Sequence, residues 1–215
     1  MLTRFPEANE TVQSKRAFSS LIDRMAVLPL AREVADEPHL IGQTTSVDVP
    51  LSDDVDMFLK GAAPRAIFLR VGEASSPMRN AEEGDFKIEV DRLNKVSAKI
   101  AAIGQHGAEP TVLLVADTSV ARIKSMEDGN VTLQMLTGRQ DQFDGASVKA
   151  VIIPSPEDQR SVSDQQIAWA LALKAEGVIK RVPHFSLLTH TDSTYPELAG
   201  ALAALVGSLL TMLVT

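Results

Sequence analysis

The chain has 215 residues, enough for one sizeable domain or two small ones. Its formal net charge is −7 and no long stretch is strongly basic, so we expect no nucleic-acid partner, because contact with a phosphate backbone requires a basic face. There is no cysteine, which excludes disulfides and thiolate metal sites.

The N-terminal part is predicted to be mainly helical, and no signal peptide is predicted because no apolar stretch follows the first residues. Apolar residues recur at helical spacing over residues 11–36, where Pro29 is expected to separate two helices. Ser52 is the predicted N-cap of a further short helix, since a serine hydroxyl can accept from the free amides of the first turn. Gly61 is expected to end that helix.

The middle of the chain is predicted to be rich in β-strands. Six apolar or alternating runs, separated by turn residues, are the candidate strands Ala66–Val71, Phe86–Val90, Thr111–Val115, Val120–Met126, Val131–Leu136 and Val148–Ile153. The string Asp128-Gly129-Asn130 suits a hairpin turn between the fourth and fifth of them. One amphipathic helix is expected from the spacing of Leu93, Val96, Ile100 and Ile103. We therefore expect a small, mostly antiparallel β module.

Helical character returns after the β module. Ser163 and Gln166 form a predicted capping box, and Gly177 is expected to end the helix that they start. Trp169 lies within this helix beside apolar neighbours, so we expect it to pack in the core rather than face a partner. Val182–Leu188 is a further candidate strand.

The last eighteen residues, Leu198–Thr215, contain no charged side chain. About 20 apolar residues cross the hydrocarbon of a bilayer, so this segment is just short of one transmembrane helix. Small residues recur at every fourth position, as in membrane helices that pack closely, at Ala199, Ala203, Gly207 and Thr211. We expect the start of a transmembrane helix, with a buried C-terminal core helix as the alternative.

Several strings of the sequence are similar to one known family. They are LIGQTTSVDVPLSDDVDMFLKG at Leu40–Gly61 and SVSDQQIAWALALKAEG at Ser161–Gly177, the latter continuing through TDSTYPELAG at Thr191–Gly200 and ALVGSLLTMLVT at Ala204–Thr215. A further, weaker likeness is FPEANETVQSKRAF at Phe5–Phe18. Together these strings resemble the soluble part of phosphate ABC transporter permeases, namely the PstA subunits with an extended N-terminal domain.

The resemblance implies an extracytoplasmic domain followed by the start of the first core helix of a permease, in the bacterial inner membrane with its soluble part in the periplasm. An anchor helix before residue 1 and further helices after Thr215 would be expected. The chain differs from the family's pattern in one place, because Ala201-Leu202-Ala203 follows the PELAG string where an aromatic residue is usual. The implied partners are a second permease subunit, the cytoplasmic ATPase through regions that this chain lacks, and the periplasmic phosphate-binding protein.

We expect an α+β fold in which helical portions flank the β module. Residues 1–64 are predicted to be the N-terminal helical part of the extracytoplasmic domain, and residues 65–158 an inserted β-rich module. Residues 159–196 are predicted to be the return helix and strand of that domain, and residues 197–215 the start of a transmembrane helix.

Candidate catalytic and metal-binding residues were weighed by their spacing. Four carboxylates could ligate Ca²⁺ or Mg²⁺, namely Asp48, Asp53, Asp54 and Asp56. They lack the pattern of a calcium loop, and stabilisation of a helix N-terminus already explains Asp53 and Asp54. No zinc spacing joins the histidines, His39, His106, His184 and His190. Ser75-Ser76 has no glycine elbow, and there is no Walker-type loop. We therefore predict no catalytic, cofactor-binding or metal-binding residue, and no cofactor.

Three functions remain open. The first is a periplasmic domain of a phosphate-importing permease that docks the phosphate-binding protein or the partner permease and is not itself an enzyme. A phosphate site at the best-formed helix start is not expected, because Asp53 and Asp54 would repel the anion. The second is a free-standing, tail-anchored envelope protein that binds a peptide or ligand through its β module. The third is an enzyme that uses the acidic cluster.

Overall fold

The structure, a computed structural model, describes residues 4–23, 39, 48–61, 65–79, 85–104, 109–127, 130–181, 206, 208 and 210–212. Met1–Ile179 forms one compact unit and Lys180–Thr215 a second. The predicted helix after Pro29, the predicted strand at Val182–Leu188 and most of the apolar tail lie outside the described residues.

Within Met1–Ile179, the described residues form four α-helices and seven β-strands. The helices are α1 (Val12–Ser19), α2 (Asp53–Leu59), α3 (Leu93–Gly104) and α4 (Asp164–Ala175). The strands are β1 (Ile67–Glu73), β2 (Met78–Arg79), β3 (Asp85–Glu89), β4 (Thr111–Ala116), β5 (Ser119–Glu127), β6 (Asn130–Thr137) and β7 (Ser147–Ile153). Short 3-10 turns lie at Pro6–Asn9, Gln140–Phe143 and Glu157–Gln159.

The seven strands belong to one sheet in the order β1-β7-β4-β5-β6-β3-β2, and each described pair is antiparallel. The fold is therefore α+β, which confirms the predicted class. All six candidate strands are present within one or two residues of their predicted ends, and Glu127 pairs with Asn130 at the predicted hairpin. The two-residue strand β2 was not predicted.

The sheet curves until its two ends approach each other. Strands β1 and β2 lie at opposite ends of the strand order but are separated in sequence only by residues 74–77. At this point the amide of Ala74 donates to the carbonyl of Ala146 at 3.0 Å, and the amide of Ser75 donates to the carbonyl of Glu89 at 2.9 Å. One short segment thus contacts the beginning of β7 and the end of β3.

The two faces of the sheet pack into separate hydrophobic cores, because successive side chains of a strand point to opposite faces. In β4, Leu113 belongs to one core, while Val112 and Leu114 belong to the other. In β7, Val151 belongs to the same core as Leu113, and Ile152 belongs to the same core as Val112. We call the core that contains Leu113 the outer core and the core that contains Val112 the inner core.

Helix α3 packs into the inner core. Its apolar stripe was predicted from sequence, and Leu93 and Val96 are buried there. The aromatic rings of Phe86 and Phe143, with centroids 5.5 Å apart, are also part of this core. The 3-10 turn that carries Phe143 thus covers the face of the sheet that points into the inner core.

Helices α1, α2 and α4 pack in the outer core. The rings of Phe18 and Trp169 meet edge to face with centroids 5.2 Å apart, and Phe5 lies 5.7 Å from Phe18. Trp169 is fully buried, which confirms its predicted packing role. Helix α4 is buried over all of residues 167–173, so it is the central element of this layer.

The helix ends match the prediction with two corrections. Helix α1 ends at Ser19, although the helical spacing predicted that it would continue towards Pro29, and Ile22 instead forms an isolated β-bridge with Leu51. Ser163 and Gln166 form the predicted capping box, and Gly61 and Gly177 have the positive φ angles, +74° and +72°, of residues that end helices. Ser52 does occupy the N-cap of α2, but its side chain makes no capping hydrogen bond. Its backbone amide instead donates to the carbonyl of Leu21 at 2.9 Å, which ties the start of α2 to the end of the α1 region.

Candidate functional site

The acidic residues near residue 50 do not form a metal site in the described part of the chain. Within that part, no group of three or more His, Cys, Asp or Glu residues is arranged to hold a metal ion. Asp53, Asp54 and Asp56 lie in the first turn of α2, where carboxylates favour the positive helix end. Asp56 also forms an ion pair with Lys60, one turn further along the helix.

Ser75 and Ser76 have a structural role at the point where the sheet ends meet. The hydroxyl oxygen of Ser75 accepts from the amide of Glu89 at 2.7 Å, and the hydroxyl of Ser76 donates to Asp144 Oδ1 at 2.5 Å. Of the four histidines, His39 is described and exposed, and the other three lie outside the described residues.

A buried polar network surrounds the beginning of α4. Arg160 Nη2 and Asp164 Oδ1 are 2.5 Å apart, and both side chains are almost fully buried. Arg122 Nη1 approaches the other Asp164 oxygen at 3.3 Å, and its Nη2 donates to Gln134 at 3.0 Å. Glu157 accepts from the amide of Asp164 at 3.0 Å. The network fastens the helix start to strands β5 and β6.

The charges of this network balance. A separate ion pair lies between Lys124 and Asp85, with Lys124 Nζ 2.7 Å from Asp85 Oδ2. Two buried atoms of the described residues lack a hydrogen-bond partner, namely Asp85 Oδ1 and Arg160 Nη1. The three cations are Arg122, Lys124 and Arg160. The three carboxylates that they face are Asp85, Glu157 and Asp164, so the set has no net charge.

A different surface has the features of a docking site. Phe68 of β1 is 47% exposed although it lies in a regular strand, and Met57 of α2 is 44% exposed. The Phe68 ring lies 6.4 Å from that of the buried Phe58, the residue next to Met57 in α2, so the two exposed side chains come from neighbouring elements. Large exposed apolar side chains on neighbouring elements are often found at protein–protein contacts.

Two cations lie directly opposite each other on the same sheet face. Arg70 of β1 pairs in register with Lys149 of β7, two pairs along the ladder from Phe68 and Val151. Both cationic side chains are exposed, and neither forms an ion pair within the described part of the chain. Like charges directly opposite each other destabilise an antiparallel pair, so this arrangement has a cost to folding.

We call this surface the docking patch, defined by Met57, Phe68, Arg70 and Lys149. Sequence reasoning missed it, because the opposition of Arg70 and Lys149 depends on the register between two strands that are far apart in the chain. The one available signal was Phe68, an aromatic residue at a position of β1 that alternates with core residues.

Comparison with known proteins gives one match. A sequence-family model described as a domain of unknown function, DUF3333, matches residues 1–67. This match covers α1 and α2 and ends where β1 begins. No curated protein and no solved structure is significantly similar to the chain.

The apolar tail is described at only five positions. Residues 206, 208 and 210–212 are helical and exposed, and the apolar ones among them are Val206, Leu210 and Met212. Within the described ranges, no helix has the length and apolar character needed to cross a membrane. The predicted transmembrane start at residues 197–215 therefore falls mostly outside what the structure describes.

Proposed function

We propose that the chain is the extracytoplasmic domain of the permease subunit of an ATP-driven phosphate importer, and that it docks the periplasmic phosphate-binding protein. The observation that carries the docking half is the opposition of Arg70 and Lys149, which have no ion-pair partner among the described residues, on the strand pair that also carries the exposed Phe68. The importer half rests on the sequence resemblance at Leu40–Gly61 and Ser161–Gly177.

The docking patch suits a partner that presents carboxylates around an apolar contact. A carboxylate placed between Arg70 and Lys149 would relieve their repulsion, while Phe68 and Met57 would lose water on contact. Complementary charges raise association rates and orient the partner. The like charges of Arg70 and Lys149 reduce the stability of the isolated chain, and in the proposed complex they would strengthen binding to the partner's carboxylates.

The tail supports a membrane location. Leu198–Thr215 has no charged residue, and its described positions are helical with Val206, Leu210 and Met212 exposed. Side chains of this kind favour hydrocarbon over water. A domain attached to such a helix is held at a membrane surface, where the partners of a permease are found.

The docking half can be tested with the full chain in lipid nanodiscs, titrated with the phosphate-binding protein of the same organism. We expect saturable binding that the double variant Arg70→Glu/Lys149→Glu weakens by about tenfold or more, because the partner's carboxylates would then be repelled. The matched control is Lys95→Glu/Lys99→Glu, which makes the same charge change on the exposed face of α3. This control is expected to bind as the unmodified chain does.

Equal weakening in both double variants would mean that only overall charge matters, and the docking patch would then be rejected. If the unmodified chain binds the partner permease through Arg70 and Lys149 but never the phosphate-binding protein, the importer assignment stands and the choice of partner is wrong. Absence of binding to both partners would contradict docking altogether.

A further inference from the structure

Two exposed carboxylates lie beside Met57 on the surface of α2. Asp53 and Asp54 precede Met57 by four and three residues, so the three side chains are neighbours on one helix face. Both carboxylates are exposed, and neither forms an ion pair within the described part of the chain. Negative charge therefore adjoins the methionine of the docking patch.

These carboxylates and the cations of the docking patch have equal and opposite charge. Asp53 and Asp54 carry two negative charges about one turn along α2 from the methionine. Arg70 and Lys149 carry two positive charges two pairs along the ladder from Phe68. No ion pair among the described residues joins the two sets, so the opposite charges do not neutralise each other within that part of one copy.

A two-fold dimer can pair all four charges. In such a dimer one surface binds itself, so a residue of one copy contacts the second copy in the same way as its counterpart contacts the first. When the axis passes near Met57 and Phe68, the acidic part of each copy faces the basic part of the other. The two exposed apolar side chains then lie at the centre and lose water on contact.

We propose that a second copy of this chain binds the docking patch, with Asp53 and Asp54 of each copy facing Arg70 and Lys149 of the other. The like charges of Arg70 and Lys149 oppose each other within one copy, and carboxylates from a second copy relieve this repulsion. Hydrogen bonds between carboxylates and cationic donors are also stronger than those between neutral groups.

The second copy and the phosphate-binding protein would compete, because both need Arg70 and Lys149. This competition rests on the proposed function, whereas the self-association does not. The carboxylates of α2 distinguish the two occupants. Asp53 and Asp54 attract the cations of a second copy, but they repel a partner that presents carboxylates of its own.

Sedimentation velocity of the full chain in an uncharged detergent, over a range of protein concentrations, tests the proposal. We expect the unmodified chain to dimerise. The double variants Arg70→Glu/Lys149→Glu and Asp53→Lys/Asp54→Lys should each need about tenfold or more protein for the same dimer fraction, since like charges then meet in the dimer. The control Lys95→Glu/Lys99→Glu, which changes the net charge as Arg70→Glu/Lys149→Glu does, is expected to dimerise as the unmodified chain does.

An equimolar mixture of the two double variants is the sharpest test. One variant offers only carboxylates at the dimer contact and the other only cations, so the mixture is expected to dimerise at a concentration at which each variant alone is monomeric. Recovery in the mixture also shows that both variants are folded. In nanodisc titrations with the phosphate-binding protein, Asp53→Lys/Asp54→Lys is expected to bind at least as tightly as the unmodified chain.

The proposal is overturned if the unmodified chain stays monomeric, if both double variants dimerise as it does, or if their mixture stays monomeric. It is also overturned if the control is weakened as much as Arg70→Glu/Lys149→Glu. Failure of the proposed function gives a different result, namely a chain that dimerises through these charges but does not bind the phosphate-binding protein.

Discussion

The indole Nε1 of Trp169 donates a hydrogen bond to Oε1 of Glu7 at 3.1 Å, across 162 positions of the chain. The same Glu7 oxygen accepts from the hydroxyl of Thr137 at 2.5 Å. One carboxylate therefore satisfies two buried donors, one from α4 and one from the end of β6. This contact attaches the N-terminal 3-10 turn to both the helical layer and the sheet.

Removing this acceptor is predicted to destabilise the fold. Glu7→Ala leaves the donors of Trp169 and Thr137 buried without a partner, at a cost of about 1–3 kcal/mol in the free energy of unfolding. Glu7→Gln keeps a carbonyl oxygen and should cost less. Urea unfolding followed by the fluorescence of the single tryptophan measures the change. The exposed Glu10 is the control, since Glu10→Ala should change stability by no more than about 0.5 kcal/mol.

The buried pair of Arg160 and Asp164 gives a second prediction. Asp164→Ala leaves an arginine that is 2% exposed without its carboxylate, so we expect a loss of about 3–5 kcal/mol. The double variant Arg160→Met/Asp164→Leu should recover most of that loss, because no buried charge is left unpaired. If the double variant is as unstable as Asp164→Ala in urea titrations, the ion-pair explanation fails.

Two glycines of the same backbone type provide a third prediction. Gly138 and Gly145 have positive φ angles of +86° and +62°. A Cβ added at Gly138 would lie 2.7 Å from the Cα of Ser119, whereas a Cβ added at Gly145 would meet no atom within 4 Å. Gly145→Ala should cost about 1 kcal/mol through backbone strain alone. Gly138→Ala should cost roughly 2–4 kcal/mol, since steric overlap adds to the strain. Equal midpoints of thermal unfolding for the two variants would contradict this difference.

The docking patch predicts opposite effects on stability and on binding. Arg70→Glu places a carboxylate opposite Lys149 and should raise the free energy of unfolding by about 0.2–1 kcal/mol, because unlike charges replace like charges. The same substitution should weaken binding of the phosphate-binding protein. A merely structural role for Arg70 predicts no change in binding, so the pair of measurements separates the two interpretations.

Alternation of apolar side chains was enough to predict most of the sheet. Runs such as Thr111–Val115 and Val148–Ile153 contain residues of both cores, and the local pattern needs no long-range information to identify a strand. The capping box at Ser163 was predicted for the same reason, since its partner is only three residues away. Local chemistry therefore accounts for the elements that were predicted correctly.

Long-range contacts account for what was missed. Strand β2 has two residues and exists because Met78 and Arg79 pair with β3, not because of a local pattern. Ser52 gives no capping bond although its residue type favours one, and its amide instead bonds to Leu21. The opposition of Arg70 and Lys149 requires the register of two strands that are distant in sequence.

The most direct test of the central claim, that the folded unit works outside a membrane as part of a permease, is its location in the cells that make it. An antibody raised against the folded unit can follow the protein through carbonate washing of membranes and through protease treatment of spheroplasts. We expect the protein to stay with the washed membranes and the folded unit to be cut in intact spheroplasts. Recovery in the soluble fraction, or protection until the spheroplasts are lysed, would contradict it.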